Sequence, residues 1–178
     1  MDGHDSLILQ LNSLEINIPI NPKYYKWSGL SVTTFLGISA ALLLFFNTRH
    51  WYNGLQKPDF AFPMFILAPI HLVCLVLAGL AITIVIGNVS GNPAVKPARR
   101  AFSIWLTLHS VWLVVFGGFH FPVLGLGLAV IQWGAAVFCI QKFYNVDPKA
   151  GQRATFFFLL TSYWMLVNGG IISMNDFP

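Results

Sequence analysis

Ionic charge is what this chain of 178 residues has least of: 9% of its residues are Asp, Glu, Lys or Arg, where a soluble domain carries about 25%. That scarcity excludes an ordinary soluble globular fold. With 6 acidic residues in all and none in the long apolar runs, there are no paired carboxylates for general acid–base work. Two cysteines, Cys74 and Cys139, lie in different apolar runs, where they read as small buried residues rather than a disulfide. Also missing are a Ser/His/Asp set, a glycine-rich phosphate loop and zinc-ligand spacing. The net charge of +4 does not indicate nucleic acid, because the basic residues are scattered over short segments between runs. Nor does the N-terminus read as a signal peptide: Asn12 and Glu15 interrupt its apolar residues and Asp2 and Asp5 precede them. It equally lacks the Arg-rich, acid-poor pattern of a mitochondrial presequence.

What the chain has instead is apolar length. It is 56% hydrophobic, with a mean hydropathy of +0.69. Five runs, at about 29–47, 63–87, 101–118, 122–141 and 154–174, contain no Lys, Arg, Asp or Glu. Each can cross a hydrocarbon core of roughly 30 Å as a helix. The runs are continuous rather than alternating, which argues against a β-barrel. The expectation is an all-α membrane protein with one five-helix domain over residues 29–178. Residues 1–28 are expected to lie along the interface, with Tyr24, Tyr25 and Trp27 as an aromatic belt. Lys23, Lys26, Lys96, Arg99, Arg100, Lys142, Lys149 and Arg153 fall on the N-terminal side of the spans, and only Arg49 and Lys57 on the other. That bias predicts a cytoplasmic, or equivalent, N-terminus.

Small residues predict close helix contact. Gly29, Thr33, Gly37 and Ala41 repeat down one face of the first span, and Gly127, Ile131 and Gly134 mark a face of the fourth. "FAFP" at 60–63 and "FHFP" at 119–122 each open a span with proline, which suits a helix start.

With no ionic groups in the spans, the remaining polar side chains carry the information. His71 and His109 lie about 12 and 13 Å deep, measured from the side of the 49–63 segment. Trp112 and Asn168 lie nearer that surface. Four hydrogen-bonding side chains thus share one half of the bilayer, beneath "RHWYNGLQKPDFAFP" (49–63), read as a loop. Apolar walls, a few polar groups and a cover are the parts of a ligand pocket. Neutral imidazoles could also pair between helices or ligate haem iron.

"WYNGLQKPDFAFPMFILAPIHLV", residues 51–73, resembles the TspO/translocator-protein family, the tryptophan-rich sensory proteins, and the likeness extends over roughly residues 29–170. The resemblance implies a five-helix bundle of TspO type that binds tetrapyrroles such as haem or protoporphyrin, with sterols or drug-like ligands in some lineages. Carried over position by position, the pocket is implied to be lined by Leu67, Ala68, Ile70, His71, His109, Trp112, Leu124, Gly127, Ile131, Trp164, Val167 and Asn168. The segment 49–62 would act as lid, with Arg49, Trp51 and Lys57 at its mouth.

The chain also departs from the family. Phe60, Phe65 and His71 stand where Trp is usual, and Phe62 where Pro is. His109 stands at an Asn place, Ser110 at a Trp place, Leu124 at a pocket Trp and Leu128 at a common Asp. The ending "VNGGIISMNDFP" lacks the Tyr and basic residue of a sterol motif.

The functional expectation is therefore a non-enzymatic membrane protein that binds a planar hydrophobic ligand, most readily a tetrapyrrole, for sensing or transport. It would require no cofactor. Membrane lipid and a small hydrophobic ligand are its expected partners, with a homodimer or larger complex open. The alternative is an accessory subunit of a larger membrane assembly, with lipid or pigment in a vestigial pocket. A haem-dependent enzyme using His71 or His109 is a third reading.

Overall fold

The computed structural model describes residues 22–88 and 91–177, apart from the side chains of 22–27. The expected interfacial segment and its belt residues Tyr24, Tyr25 and Trp27 lie outside what is described. Helix α1 spans Pro22–Leu42. It passes through a π-helical stretch, Leu43–Thr48, into α2, Arg49–Gly54. Then come α3 (Met64–Gly87), α4 (Val95–Trp112), a second π-helical stretch, Leu113–Gly118, α5 (Pro122–Tyr144) and α6 (Pro148–Met174). Five helical stretches are long and apolar enough to cross a membrane: Ser28–Gly54, Met64–Gly87, Val95–Gly118, Pro122–Tyr144 and Pro148–Met174.

The spans run longer than the apolar runs, for local reasons. Residues 49–54, expected in a loop, continue the first span as α2, since no proline interrupts "RHWYNG" before Pro58. The connection is therefore only Leu55–Pro63. α4 starts at Val95 because its charged first turns remain helical outside the hydrocarbon, their long side chains reaching for water. α6 starts at Pro148 because Asp147 caps it, its carboxylate accepting from Lys149 N at 2.7 Å.

Going round the bundle, α1 packs on α3, α3 on α6, α6 on α5 and α5 on α4. The α1–α3 seam is packed closely at its glycines. A Cβ on Gly29 would lie 2.8 Å from Ile82 Cγ2, and one on Gly37 2.9 Å from Leu72 Cδ1. One on Gly79 would overlap Thr33 Oγ1. Glycine at these places lets the two backbones approach where no hydrophobic effect drives them together. The expected face on α5 behaves differently. Gly127 and Gly134 have open space around them, and Ile131 is exposed, so among the described residues this face packs against no other helix.

The two π stretches meet. Each π turn frees carbonyls from the helical ladder, and side chains take them up. Thr48 Oγ1 donates to Gly117 O at 2.8 Å, and Asn47 Nδ2 donates to Gly117 O at 3.0 Å. This clamp ties the first span to the third at the end that carries the Leu55–Pro63 connection.

Candidate functional site: a buried histidine pair in an aromatic column

At the centre of the bundle, polar side chains from four helices form one chain. His71 Nε2 of α3 lies 2.9 Å from His109 Nε2 of α4. His109 Nδ1 lies 2.7 Å from Gln132 Nε2 of α5. Gln132 Nε2 also donates to Thr161 Oγ1 of α6 at 3.1 Å, and Thr161 Oγ1 donates to Phe157 O at 2.8 Å. All four side chains are buried.

Their protons can be ordered from these contacts. Thr161 gives its proton to a carbonyl, so it must accept from the Gln132 amide, and the same amide nitrogen donates to His109 Nδ1. His109 then carries its proton on Nε2 and donates it to His71 Nε2. His71 is left with an N–H on Nδ1. That atom has no partner, and neither has Gln132 Oε1.

Around the pair stands a column of rings. Phe102, Trp105, His109, Trp112 and Phe116 recur every three or four residues along one face of the third span, as a helix requires. Trp105 stacks on His109 with centroids 5.3 Å apart, and Trp112 on Phe116 at 5.1 Å. Trp164 leans on Trp112 at 5.1 Å. At the connection end, Trp51 meets Phe116 edge-on at 5.3 Å and stacks on His120 at 4.6 Å. His120 holds a left-handed conformation, φ 59°, in the turn before α5. The indole N–H groups of Trp105, Trp112 and Trp164 are buried without acceptors.

The connection over this column is fastened. Lys57 Nζ donates to Tyr52 O and Leu55 O, both at 2.7 Å, closing the end of α2. Partial burial lowers the Lys57 pKa from the ordinary lysine value. Phe62 N donates to Tyr163 Oη at 2.8 Å. Asn175 clasps Gln56 from both sides, accepting from its N at 3.0 Å and donating to its O at 2.8 Å. Pro58 sits where a side chain at position 170 would be: a Cβ on Gly170 would lie 2.7 Å from Pro58 Cγ.

Of the residues expected to line a pocket, the structure gathers Leu67, Ala68, His71, His109, Trp112, Trp164, Val167 and Asn168 in the buried interior. Trp51 packs at its connection end. Leu124, Gly127 and Ile131 are not brought in. They share one helical face of α5 that points outward, Leu124 at 56% and Ile131 at 59% exposure, while Gly125, Ala129, Gln132 and Ala136 take the inner face. Ile70 is 41% exposed and lies outside the interior, but it lines, with Leu67, an opening between α3 and α6. Asn168 is occupied: with its amide oriented to satisfy both ends, it donates to Pro122 O at 3.1 Å and accepts from Leu126 N at 2.9 Å. Arg49 is exposed, its guanidinium over the Phe45 ring at 5.2 Å, and Lys57 is spent on helix carbonyls.

Sequence reasoning missed Trp105, Phe116, His120, Gln132 and Thr161. The three- and four-residue spacing of the aromatic stripe was a readable signal for the first two. Gln132 and Thr161 offered none beyond being polar inside a span.

Two openings flank the column. One, of about 190 Å³, lies between α3 and α6 and includes Leu67, Cys74 and Tyr163. The other, of about 160 Å³, lies between α1, α3 and α4 and reaches His109. Both are smaller than the roughly 300–1,000 Å³ of drug-sized ligand pockets. The histidine pair does not fit a single iron held between its two rings. Two Fe–N bonds of about 2 Å set the nitrogens roughly 4 Å apart, and these lie at hydrogen-bond distance, 2.9 Å. Among the described residues no group of three or more His, Cys, Asp or Glu could hold a metal ion.

Five apolar helices around a buried polar chain define an integral, multi-pass helical membrane protein. The sequence profile of the TspO/MBR family matches residues 30–174, and the chain belongs to that family. It is similar to the tryptophan-rich protein TspO of Chlorobaculum tepidum, with 25% identity over 125 residues, covering 70% of this chain and 79% of that protein.

Proposed function

We propose that this protein is a non-catalytic membrane receptor or carrier for a flat, hydrophobic molecule bearing hydrogen-bond acceptors, of which a tetrapyrrole with carboxylate side chains is the best-fitting class. The observation that carries the reading is the set of four buried ring N–H donors, on His71, Trp105, Trp112 and Trp164, that lack acceptors. Leaving a polar group unpaired inside a protein costs about 1–3 kcal/mol. An acceptor-bearing ring system sliding between the aromatic faces would satisfy such donors and gain stacking. Entry would require the column to part beside His109, where the α1–α4 opening already reaches the ring. His109 and Trp112 would contact the ligand, and Trp51 would cover it. The reading asks for no bond-making chemistry.

The test is quenching of intrinsic tryptophan fluorescence by protoporphyrin IX in detergent. Saturable quenching that His109→Leu abolishes and His109→Asn largely retains supports the reading. Quenching that is linear with porphyrin and identical in both variants refutes it.

A second reading, an accessory subunit of a larger membrane assembly, is supported by the closely filled interior and the outward-facing Leu124–Gly127–Ile131 surface. Mild-detergent extraction that yields only the isolated chain or its homodimer would count against it.

A further inference from the structure

At the end of the bundle opposite the Leu55–Pro63 connection, two hollows join. The first, about 740 Å³, is lined by Lys96, Arg99, Arg100 and Ser103 at the head of α4. The second, about 200 Å³, is an apolar crevice between α1, α3 and α4, with Val32, Ile82, Phe102 and Leu106 in its walls. Arg99 and Ser103 line both, so the cationic mouth opens directly into the crevice. From Arg99 to Leu106 the crevice follows α4 for about 10 Å toward the bilayer centre.

Among the described residues no Asp or Glu lines either hollow. Asp59 lies in the connection at the other end of the bundle, Asp176 follows α6 at that same end, and Asp147 is engaged as the cap of α6. A basic mouth at interface depth leading into an apolar slot between transmembrane helices matches one kind of molecule: an anionic headgroup attached to an acyl chain.

We propose that this groove binds a single anionic glycerophospholipid, its phosphate held by Lys96 and Arg100 with Ser103 beside it, and one acyl chain lying in the crevice against Val32 and Phe102. The site lies apart from the histidine pair, and the proposal does not depend on the function proposed above.

The experiment uses the full-length protein in neutral detergent, titrated with phosphatidylglycerol or phosphatidylcholine of identical acyl chains and read by native mass spectrometry. Each cation near a membrane surface contributes about fivefold to anionic-lipid binding. The expected result is therefore a preference of at least about tenfold for phosphatidylglycerol, brought to within about twofold by K96Q/R100Q. A K142Q/K149Q control, on the same side but outside the groove, keeps the preference. Val32→Trp, which fills the crevice from an exposed position, weakens both lipids equally and leaves the preference unchanged.

Five results would overturn the proposal. Equal binding of the two lipids by the unaltered protein is one. Another is loss of the preference in the K142Q/K149Q control, which would mean diffuse surface charge. Full competition by soluble glycerol phosphate, or undiminished lipid binding in Val32→Trp, would mean that no acyl chain is held. Preference appearing only after Asp2→Asn, Asp5→Asn and Glu15→Gln are combined would mean that the chain's own acidic N-terminal stretch occupies the groove.

Discussion

Replacing His109 by Leu should cost far more than replacing His71, although the two imidazoles touch each other and are equally buried. The difference follows from counting unpaired groups. In the native chain the unpaired members are the His71 Nδ1 proton and Gln132 Oε1. His71→Leu removes the first and creates one new unpaired group, the His109 Nε2 proton, so the count does not change. His109→Leu keeps the His71 Nδ1 proton, strips His71 Nε2 of its donor and strips one Gln132 proton of its acceptor, adding two. Hydrogen bonds between membrane helices are worth about 0.6 kcal/mol on average and up to about 1.7. His109→Leu should therefore destabilise by about 1–3 kcal/mol and His71→Leu by about 0.5 kcal/mol or less. The double variant is the sharpest case. Adding His71→Leu to His109→Leu deletes both orphaned atoms of His71, so the double variant should be more stable than His109→Leu alone. The assay is unfolding of purified protein in mixed micelles with rising sodium dodecyl sulfate, followed by far-UV circular dichroism. Additive losses, or His71→Leu as costly as His109→Leu, would refute the proton ordering.

Gly79→Val should destabilise by about 2–4 kcal/mol in the same assay, because its side chain would overlap Thr33 and Leu30, whereas Gly127→Ala, in open space, should change little. Freeing the latch with Asn175→Ala should raise hydrogen exchange or protease cutting within 55–63 while the helical circular dichroism stays unchanged; unaltered protection would mean that the other ties hold the connection alone. Trp51→Ala loses a stack worth about 0.5–1.5 kcal/mol and should weaken porphyrin quenching correspondingly, with identical affinity in the two proteins as the contrary result. Cysteines placed at Leu55 and Pro97 should be labelled from opposite sides of the membrane, residue 97 from the cytoplasmic or equivalent side, and labelling of both from one face would overturn the topology drawn from the basic residues.

The spans and the α1–α3 seam were readable because each rests on a local signal. A run without charge reports a membrane helix, and a small residue at every fourth position, Gly29, Thr33, Gly37 and Ala41, reports a close approach. Helix boundaries were less readable. Charged first turns such as Lys96–Arg100 are helical but not apolar, and a π turn such as Leu43–Thr48 has no compositional mark. The interior polar chain was half readable. Depth alone placed His71 and His109 at one level, but which face of α5 turns inward depends on packing among four helices, so Gln132 was missed while Leu124, Gly127 and Ile131 were placed inside.

The positions at which the chain departs from its family divide the same way. Phe60, Phe62, Phe65 and Leu124 are all at least half exposed, so those replacements change the outer surface and leave the interior rings in place. Ser110 spends its hydroxyl on Leu106 O of its own helix at 2.9 Å. Two of the departures that the resemblance implies, His71 at a Trp place and His109 at an Asn place, lie in the buried centre, and they are bonded to each other. A Trp-to-His change alone would leave a gap and an unsupported imidazole. Paired with a second histidine it gains an acceptor–donor contact and a stack at 4.9 Å, so the two replacements are coupled physically and neither residue is intelligible without the other. Aromatic surface is kept at the core by Trp105, Trp112, Phe116 and Trp164, arranged around the polar pair.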